Sequence, residues 1–245
     1  MECKRVNKNN GIDWLAERIK KGNVVIFSGA GLSTESGLQD FRSRDGIWSQ
    51  VDPTEMASVG VLERRYDEFV DFYKQRLYVP DTILPNIGHK LIADWEKKGF
   101  ITGIITQNVD RLHQRAGAVR VAELHGSLEP VFCHSCGKKG TTEDFLGKVS
   151  CSCGGNLRPS VVLFGEMLPE KPLKEADKWS SDCDTFIVLG SSLAVSPANY
   201  FPRQAKDSGA KLVIINRDKT PLDYLADLVV NEGIGNYLTE VNKSL

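Results

Sequence analysis

Four of the six cysteines stand in two close pairs within one short stretch of the chain. Cys133 and Cys136 have two residues between them, Cys151 and Cys153 have one, and fourteen residues separate the pairs. Two such pairs can converge tetrahedrally on Zn²⁺, and a stretch so poor in large apolar residues needs a metal to hold it together. We therefore predict a structural zinc site with these four ligands and no open position. A redox site is the less favoured interpretation, and His134, inside the first pair, is a poorer ligand.

A second chemical pattern is the turn Gly29-Ala30-Gly31, which follows the β-branched run Val24–Ser28. Glycines at the end of a strand let the backbone approach a pyrophosphate, and a following helix start presents N–H groups to it. The next glycine is Gly37, which departs from the usual G-x-G-x-x-G spacing, so a plain tight turn is the alternative. The loop Asp40-Phe41-Arg42 has no helical or strand period, which favours binding over a merely solvated loop.

Polar side chains also follow the apolar run Ile101–Thr106, namely Gln107, Asn108 and Asp110. At the carboxyl end of a parallel strand, short polar side chains suit hydrogen bonds to a sugar or an amide. The alternative is an Asx turn in which Asn108 caps the next helix. His125 follows another strand-like run and precedes a glycine, and the ordinary pKa of histidine suits proton transfer near neutral pH.

Alternating strands and helices must position these groups. Near-continuous apolar runs predict buried parallel strands at Val24–Ser28, Ile101–Thr106, Asp184–Gly190 and Lys211–Asn216. Helical spacing predicts helices at Asp13–Lys21, Leu62–Leu77, His89–Lys98, Pro172–Ser181 and Asn199–Ser208. The alternation indicates an α/β fold, a Rossmann-like doubly wound parallel sheet over residues 1–127 and 160–245. The zinc-binding module, residues 128–159, is a small insert in it.

Length, charge and composition are those of a globular protein. The chain has 245 residues and a net charge of −1, which allows a sizeable core and gives no general attraction to nucleic acid or anionic membrane. It has no apolar run long enough to span a bilayer, and its first residues lack the apolar core of a signal peptide. We expect a cytoplasmic monomer without nucleic-acid or membrane partners.

Seven motifs occur in a characteristic order between Asn23 and Glu232: GAGLSTESGLQDFR, TQNVDRLH, ELHG, the two cysteine pairs, LRPSVVLFGE, LGSSLAVSPA and IIN. In this combination, over nearly its whole length, the chain resembles the sirtuins of bacterial type. The resemblance implies an NAD-dependent protein-lysine deacetylase or deacylase. A set of independent motifs in order is a much more specific signal than any one glycine turn.

The resemblance also implies roles for single residues. His125 is the expected general base, with Asn108 and Asp110 as the other catalytic residues. The acyl-lysine protein substrate is expected to pair as an extended strand with Val162, Leu163, Phe164, Gly165 and Glu166. The residues expected to hold NAD are Gly29, Ala30, Gly31, Asp40, Phe41, Arg42, Gln107, Asn108, Asp110, Gly190, Ser191, Ser192, Asn216 and Arg217.

The implied reaction transfers the acetyl group from lysine to ADP-ribose. The acyl-lysine oxygen attacks C1′ of the nicotinamide ribose, nicotinamide leaves, and His125 takes a proton from a ribose hydroxyl, which yields free lysine and O-acetyl-ADP-ribose. Tyr73 and Arg76 match a pair that recognises succinyl- or malonyl-lysine in one sirtuin subclass. Three apart on a helix they share a face, so desuccinylation is an alternative.

Three further alternatives remain. The first is a mono-ADP-ribosyltransferase or NAD glycohydrolase that uses the same cleavage of NAD. The second is a non-enzymatic NAD sensor or protein-binding module, against which the intact set of Asn108, Asp110 and His125 argues. The third is DNA binding by the zinc module, which Lys138, Lys139, Lys148 and Arg158 alone would have to support.

Overall fold

A computed structural model describes residues 8–40, 56–77 and 82–245. Its strands are β1 (Val24–Ser28), β2 (Ile101–Thr106), β3 (Val121–Glu123), β4 (Gly126–Cys133), β5 (Leu157–Val161), β6 (Thr185–Leu189), β7 (Lys211–Ile215) and β8 (Leu228–Val230). Its α-helices are α1 (Lys8–Lys21), α2 (Val59–Arg64), α3 (Tyr66–Leu77), α4 (Ile87–Lys97), α5 (Leu112–Arg115), α6 (Thr142–Leu146), α7 (Glu170–Asp182), α8 (Tyr200–Asp207) and α9 (Ile234–Lys243).

Six strands form one parallel sheet in the order β3-β2-β1-β6-β7-β8. The chain runs outward from β1 to β3, returns to β6 beside β1, and then runs outward to β8. The order therefore reverses between β1 and β6, whose pairing extends from Val24 opposite Thr185 to Ser28 opposite Leu189. The predicted Rossmann-like doubly wound sheet is confirmed, and ligands of such sheets bind beyond the carboxyl ends of the strands at this switch point.

Two apolar layers cover the sheet. On one face Leu15 of α1, Trp95 of α4 and Leu238 of α9 are fully buried in a single cluster. On the other face α7 and α8 contribute Trp179 and Phe201. Burial on both faces explains why β1 and β6 are apolar almost throughout.

A small antiparallel sheet of β4 and β5 lies outside the large one and carries its own apolar cluster. Helices α2, α3 and α6 pack on it, and Phe69 meets Phe145 edge-on with ring centroids 6.2 Å apart. The hydroxyl of Tyr66 donates to the carbonyl oxygen of Leu157 over 2.9 Å. The segment 56–77 is thereby attached to the small sheet.

The structure corrects several predicted elements. The single helix expected over Leu62–Leu77 is two helices, because the backbone leaves helical geometry at Arg65 (φ −137°, ψ 51°). Two 3-10 turns, Ala30–Leu32 and Thr34–Ser36, stand where an α-helix was expected after Gly31. Strand β8 and helix α9 had no predicted counterpart. In the described part of the chain, no helix has the length and apolar character needed to cross a membrane.

Candidate functional site

A cavity of about 370 Å³ opens at the carboxyl ends of β1, β2 and β6, between the large sheet and the small one. This volume lies in the range of small-ligand sites. The wall brings together most of the residues singled out in the sequence: Gly29, Ala30, Gly31, Asp40, Tyr73, Gln107, Asn108, His125, Val162, Leu163, Phe164, Gly165, Glu166, Gly190, Ser191, Ser192 and Asn216.

Other predicted site residues are not on this wall. Phe41 and Arg42 lie outside the described residues, and so does the side chain of Arg76, whose backbone belongs to α3. Among the described residues, Arg217 is exposed and does not line the cavity, and Asp110 lies behind the lining. Asp110 is hydrogen-bonded to Ser33 and to the Leu112 amide.

The floor of the cavity consists of two turns in backbone contact. The amide of Gly29 donates to Leu189 O over 3.0 Å, and the amide of Gly31 donates to Gly190 O over 2.9 Å. A Cβ on Gly31 would lie 2.8 Å from the Gly190 Cα, and a Cβ on Gly190 would lie 2.3 Å from the Leu32 nitrogen. Only glycine allows the two turns to come this close, and the same lack of side chains exposes backbone to a ligand.

Behind the floor, Asn108 and Asp110 are fixed by a shared partner, Ser33. The Asn108 side chain is 5% exposed, and its Nδ2 donates to Gly29 O over 3.1 Å and to Ser33 Oγ over 3.2 Å. The Ser33 hydroxyl in turn donates to Asp110 Oδ2 over 2.7 Å. Burial raises the pKa of Asp110, and its hydrogen bonds with Ser33 and Leu112 together with the charge of Arg115 offset part of that rise.

The alternative role of Asn108 as a helix cap is wrong. Helix α5 begins after Arg111, whose backbone is left-handed (φ 59°), and Asp110 Oδ1 accepts a hydrogen bond from the Leu112 amide over 2.9 Å. Asp110 therefore satisfies the first turn of this short helix. The Asn108 side chain is left to hold the glycine turn.

His125 has its proton position set by the main chain. Its Nδ1 lies 3.0 Å from the carbonyl oxygen of Gln107. A carbonyl oxygen can only accept, so Nδ1 carries the hydrogen and the lone pair of the neutral ring lies on Nε2. The same residue, Gln107, donates through Nε2 to Ser191 Oγ over 2.8 Å and so links the histidine to the second glycine turn.

At the far end of the cavity, the wall contains two neighbours of Arg217 that were not predicted. Asn216 lines the wall, its amide donates to Val230 O over 3.0 Å, and its side chain donates to Asp218 O over 2.8 Å. This turn directs Asp218 and Lys219 to the wall in place of Arg217. Sequence spacing gave no signal for the choice, because it depends on the turn after β7.

The opposite wall is an extended segment after β5. The amide of Val162 donates to His125 O over 2.8 Å, and the amide of Phe164 donates to Ala57 O over 2.8 Å. The Phe164 carbonyl accepts from the Val59 amide over 3.4 Å, so the segment is bridged to the start of α2. A side chain of Phe164 that is 39% exposed leaves an apolar rim on the cavity.

Several wall residues were missed from the sequence. They are apolar or small: Ala57, Phe72, Val109, Val161, Leu168, Val195, Ser196 and Pro197. Phe72 stands one residue before Tyr73 on an amphipathic helix, where an apolar residue is indistinguishable from core by pattern alone. Val195, Ser196 and Pro197 could have been predicted, because they lie inside the motif LGSSLAVSPA that was already assigned to the site.

The four cysteine sulfurs form a compact group in the small unit. All lie within 4.8 Å of one another, with Cys133 and Cys153 Sγ atoms 3.5 Å apart and Cys136 and Cys151 Sγ atoms 3.7 Å apart. Tetrahedral zinc with bonds of about 2.3 Å needs sulfurs about 3.8 Å apart, so the donor set fits structural zinc despite the short second pair. His134 Nε2 lies 3.9 Å from Glu63 Oε1 instead.

Two histidines outside the wall are buried in the core. His89 is fully buried and His113 is 1% exposed, and their ring centroids are 5.0 Å apart. His113 Nε2 lies 2.8 Å from Ser28 Oγ, which donates to Thr106 Oγ1. Burial lowers the pKa of His89 to about 4 and, together with the charge of His89, lowers that of His113 to about 3. Both rings are neutral at pH 7.

A doubly wound sheet with a glycine floor at its switch point defines a dinucleotide-binding α/β protein. The chain matches the Sir2 family over residues 29–197, which is more than half of its length. It is 51% identical over 235 residues to NAD-dependent protein deacetylase 1 of Geobacillus kaustophilus, covering 95% of this chain and 96% of that protein. The chain belongs to the Sir2 family.

Other relatives agree. The NAD-dependent protein deacetylase of Oceanobacillus iheyensis is 47% identical over 233 residues, covering 94% of this chain and 98% of that protein. A solved complex of Sir2 with a p53 peptide and NAD⁺ is 38% identical, with a TM-score of 0.85 and coverage of 99% of this chain and 98% of that one. A Sir2 complex with deacetylated p53 peptide and 3′-O-acetyl-ADP-ribose gives a TM-score of 0.90 at 38% identity, with 95% and 97% covered.

Proposed function

We propose that this protein is an NAD-dependent protein-lysine deacetylase that releases nicotinamide and O-acetyl-ADP-ribose. The observation that carries the proposal is His125, with its hydrogen on Nδ1, on a wall between a glycine floor and an extended segment. The close approach of the Gly31 and Gly190 backbones suits a pyrophosphate, so the residues present fit NAD. The deacetylase names of relatives about half identical to this chain support the same function.

Bound NAD supplies a bond between ribose and nicotinamide whose cleavage leaves an electrophilic carbon. The residues of the chain do the rest. Gly29, Gly31 and Gly190 admit the cofactor backbone, and Asn108 holds the first of these turns in place. His125 accepts a proton at Nε2 from a ribose hydroxyl, while its Nδ1–H continues to donate to the Gln107 carbonyl oxygen.

The substrate is an acyl-lysine segment that pairs as an extended strand with Val162–Glu166. The peptides bound in solved structures of the family support a peptide substrate, and the extended wall segment on the cavity supports its place. We further propose the division into a large unit (1–127 and 160–245) and a zinc-bearing insert (128–159), onto which the helices of 56–77 pack. The monomeric state, the cytoplasmic location and the absence of nucleic-acid and membrane partners stay predictions.

The test is nicotinamide release from NAD by wild type and by His125→Ala, with no peptide, with an acetyl-lysine peptide and with a succinyl-lysine peptide. We expect nicotinamide release that requires the acetyl peptide and loss of the acetyl mass from it. In His125→Ala the rate at which deacetylated peptide forms should fall about 10²–10⁴-fold. Calorimetric NAD binding by His125→Ala is the control, since the variant should still bind the cofactor.

Other outcomes would reassign the activity. Release without any peptide would favour NAD glycohydrolysis or ADP-ribosyl transfer, and no release at all would favour a cofactor-binding sensor. Faster loss of succinyl than of acetyl would favour the alternative substrate class, for which Tyr73 on the cavity wall is the supporting observation.

A further inference from the structure

Arg158 is a charged residue in an interior position. It is 2% exposed, and its guanidinium forms a bidentate ion pair with Glu166, Nη1 to Oε1 over 2.5 Å and Nη2 to Oε2 over 2.9 Å. Removing a charge from water is costly unless its hydrogen bonds are satisfied, and replacing such a pair by apolar side chains is often neutral or stabilising. Stability alone therefore does not explain why this pair lies beside the cavity.

The pair is bonded to the main chain on both sides of a turn. Nη2 of Arg158 also donates to Val161 O, and its Nε donates to Pro159 O over 3.3 Å. Glu166 Oε2 accepts a hydrogen bond from the Leu163 amide over 2.8 Å, and the Glu166 amide donates to Leu163 O over 3.0 Å. The backbone from Val161 to Glu166 is thus held by two side chains.

The turn held in this way is the extended cavity wall. Its first amide, Val162 N, donates to the His125 carbonyl, and Phe164 is bridged to Ala57. The guanidinium carbon of Arg158 lies 5.3 Å from the ring centroid of Phe132, so the pair also joins the wall to β4. In addition, both Glu166 oxygens are engaged within the protein, although Glu166 itself lines the cavity.

We propose that Arg158 and Glu166 are positioning residues for the peptide substrate. They fix the main chain of Val161–Glu166 in the register to which the extended acyl-lysine segment pairs, and they neither contact the reacting atoms nor transfer a proton. This inference rests on the proposed deacetylase function and identifies Arg158 and Glu166 as residues that determine its affinity for the peptide. The planar fork of Arg158 is required, because it donates four hydrogen bonds from three nitrogens, whereas an ammonium has three N–H donors on one nitrogen.

The chain contains a matched control pair. Asp227 Oδ2 accepts from the Leu212 amide over 2.9 Å and from Lys206 Nζ over 2.6 Å, and Oδ1 accepts from Lys211 Nζ over 3.1 Å. Like Glu166, this carboxylate therefore binds both cationic side chains and a backbone amide. Asp227 is not on the cavity wall. Asp227→Asn should therefore weaken the fold to a similar extent without affecting the substrate.

The experiment measures acetyl-peptide KM, NAD KM, kcat and urea unfolding for wild type, Arg158→Lys, Glu166→Gln and Asp227→Asn. We expect the first two variants to raise peptide KM about tenfold or more, since charge-assisted hydrogen bonds are lost, with NAD KM within about twofold and a smaller effect on kcat. Asp227→Asn should leave peptide KM within about twofold. Peptide-dependent turnover by wild type in the same assay tests the proposed function separately.

Two results would overturn the inference: an effect on peptide KM no larger than that of Asp227→Asn, or an equal rise in the KM for NAD. If Arg158→Lys and Glu166→Gln do not fold, amide hydrogen exchange of the wild type decides. The Leu163 amide should then exchange as slowly as the Leu212 amide, and rapid exchange at Leu163 would mean that Glu166 does not hold the wall.

Discussion

Gly190→Ala tests whether the two glycine turns must touch. At Gly190 φ is +61°, which costs a residue with a Cβ about 1–2 kcal/mol. The added Cβ would lie 2.3 Å from the Leu32 nitrogen and 2.5 Å from the Gly31 carbonyl carbon, so the turns must separate by about 1 Å. Such overpacking adds about 1–3 kcal/mol, and we expect a total loss of about 3 kcal/mol in the free energy of unfolding.

The control is Gly22→Ala at the end of α1. Gly22 also has positive φ (+78°), but the nearest atom to an added Cβ is Gly99 O at 3.8 Å, an ordinary contact. This variant has the backbone strain alone and should lose only about 1 kcal/mol. The difference of about 2 kcal/mol isolates the contact between the turns.

Urea unfolding followed by circular dichroism measures the stability of both variants, and calorimetry measures their affinity for NAD. We expect Gly190→Ala to bind NAD at least about tenfold more weakly. A shift of about 1 Å in the cavity floor is enough to break hydrogen bonds between the backbone and the cofactor. Gly22→Ala should bind NAD like wild type. Equal losses of stability in the two variants would refute the close-packing argument, and unchanged NAD affinity in Gly190→Ala would refute the placement of the cofactor.

Two further predictions concern the buried histidines and the metal. Because burial lowers the pKa of His89 to about 4, the unfolded chain binds protons that the folded chain does not, and stability is lost as pH falls from about 6.5 toward 4. His89→Leu should reduce the loss between pH 7 and pH 5 by about 2 kcal/mol in urea unfolding, and an unchanged pH dependence would contradict the assignment. Cys151→Ser should lose bound zinc and unfold at lower temperature, whereas Cys183→Ser should keep one zinc per chain, as measured by elemental analysis; full zinc content in Cys151→Ser would exclude that ligand.

The sequence predicted the central strands because burial on both faces leaves a simple mark. Val24–Ser28 and Ile101–Thr106 are observed with the bounds predicted for them. The short strand Leu228–Val230 has too few residues for a recognisable period. Helix Ile234–Lys243 is a different matter, since Ile234, Tyr237, Leu238 and Val241 lie on one buried face and the period was available. The break at Arg65 comes directly before Tyr66, which is bonded to the small sheet, and the sequence around it carries no glycine or proline to indicate it.

For the site, the motifs predicted most of the residues that line the cavity but not the hydrogen bonds and backbone contacts between them. Gly31 and Gly190 are far apart in the sequence, and nothing local indicates that their backbones touch. Glu166 was predicted as part of the strand that pairs with the substrate, and nothing in the sequence indicated that its carboxylate is bonded to Arg158 and to the Leu163 amide. The position of a side chain at the end of a strand follows from topology, but its hydrogen-bond partners follow from tertiary packing.

The pairing of β1 with β6 has a consequence for the order of assembly. One half of the cavity floor, at Gly31, is synthesised long before the other half at Gly190, and the two meet only when a loop of more than one hundred residues has closed. Contacts with such a large sequence separation form slowly. A nascent chain that ends before β6 has the turn at Gly31 but lacks the turn at Gly190. During refolding, the onset of cofactor binding would therefore show that β1 and β6 have paired.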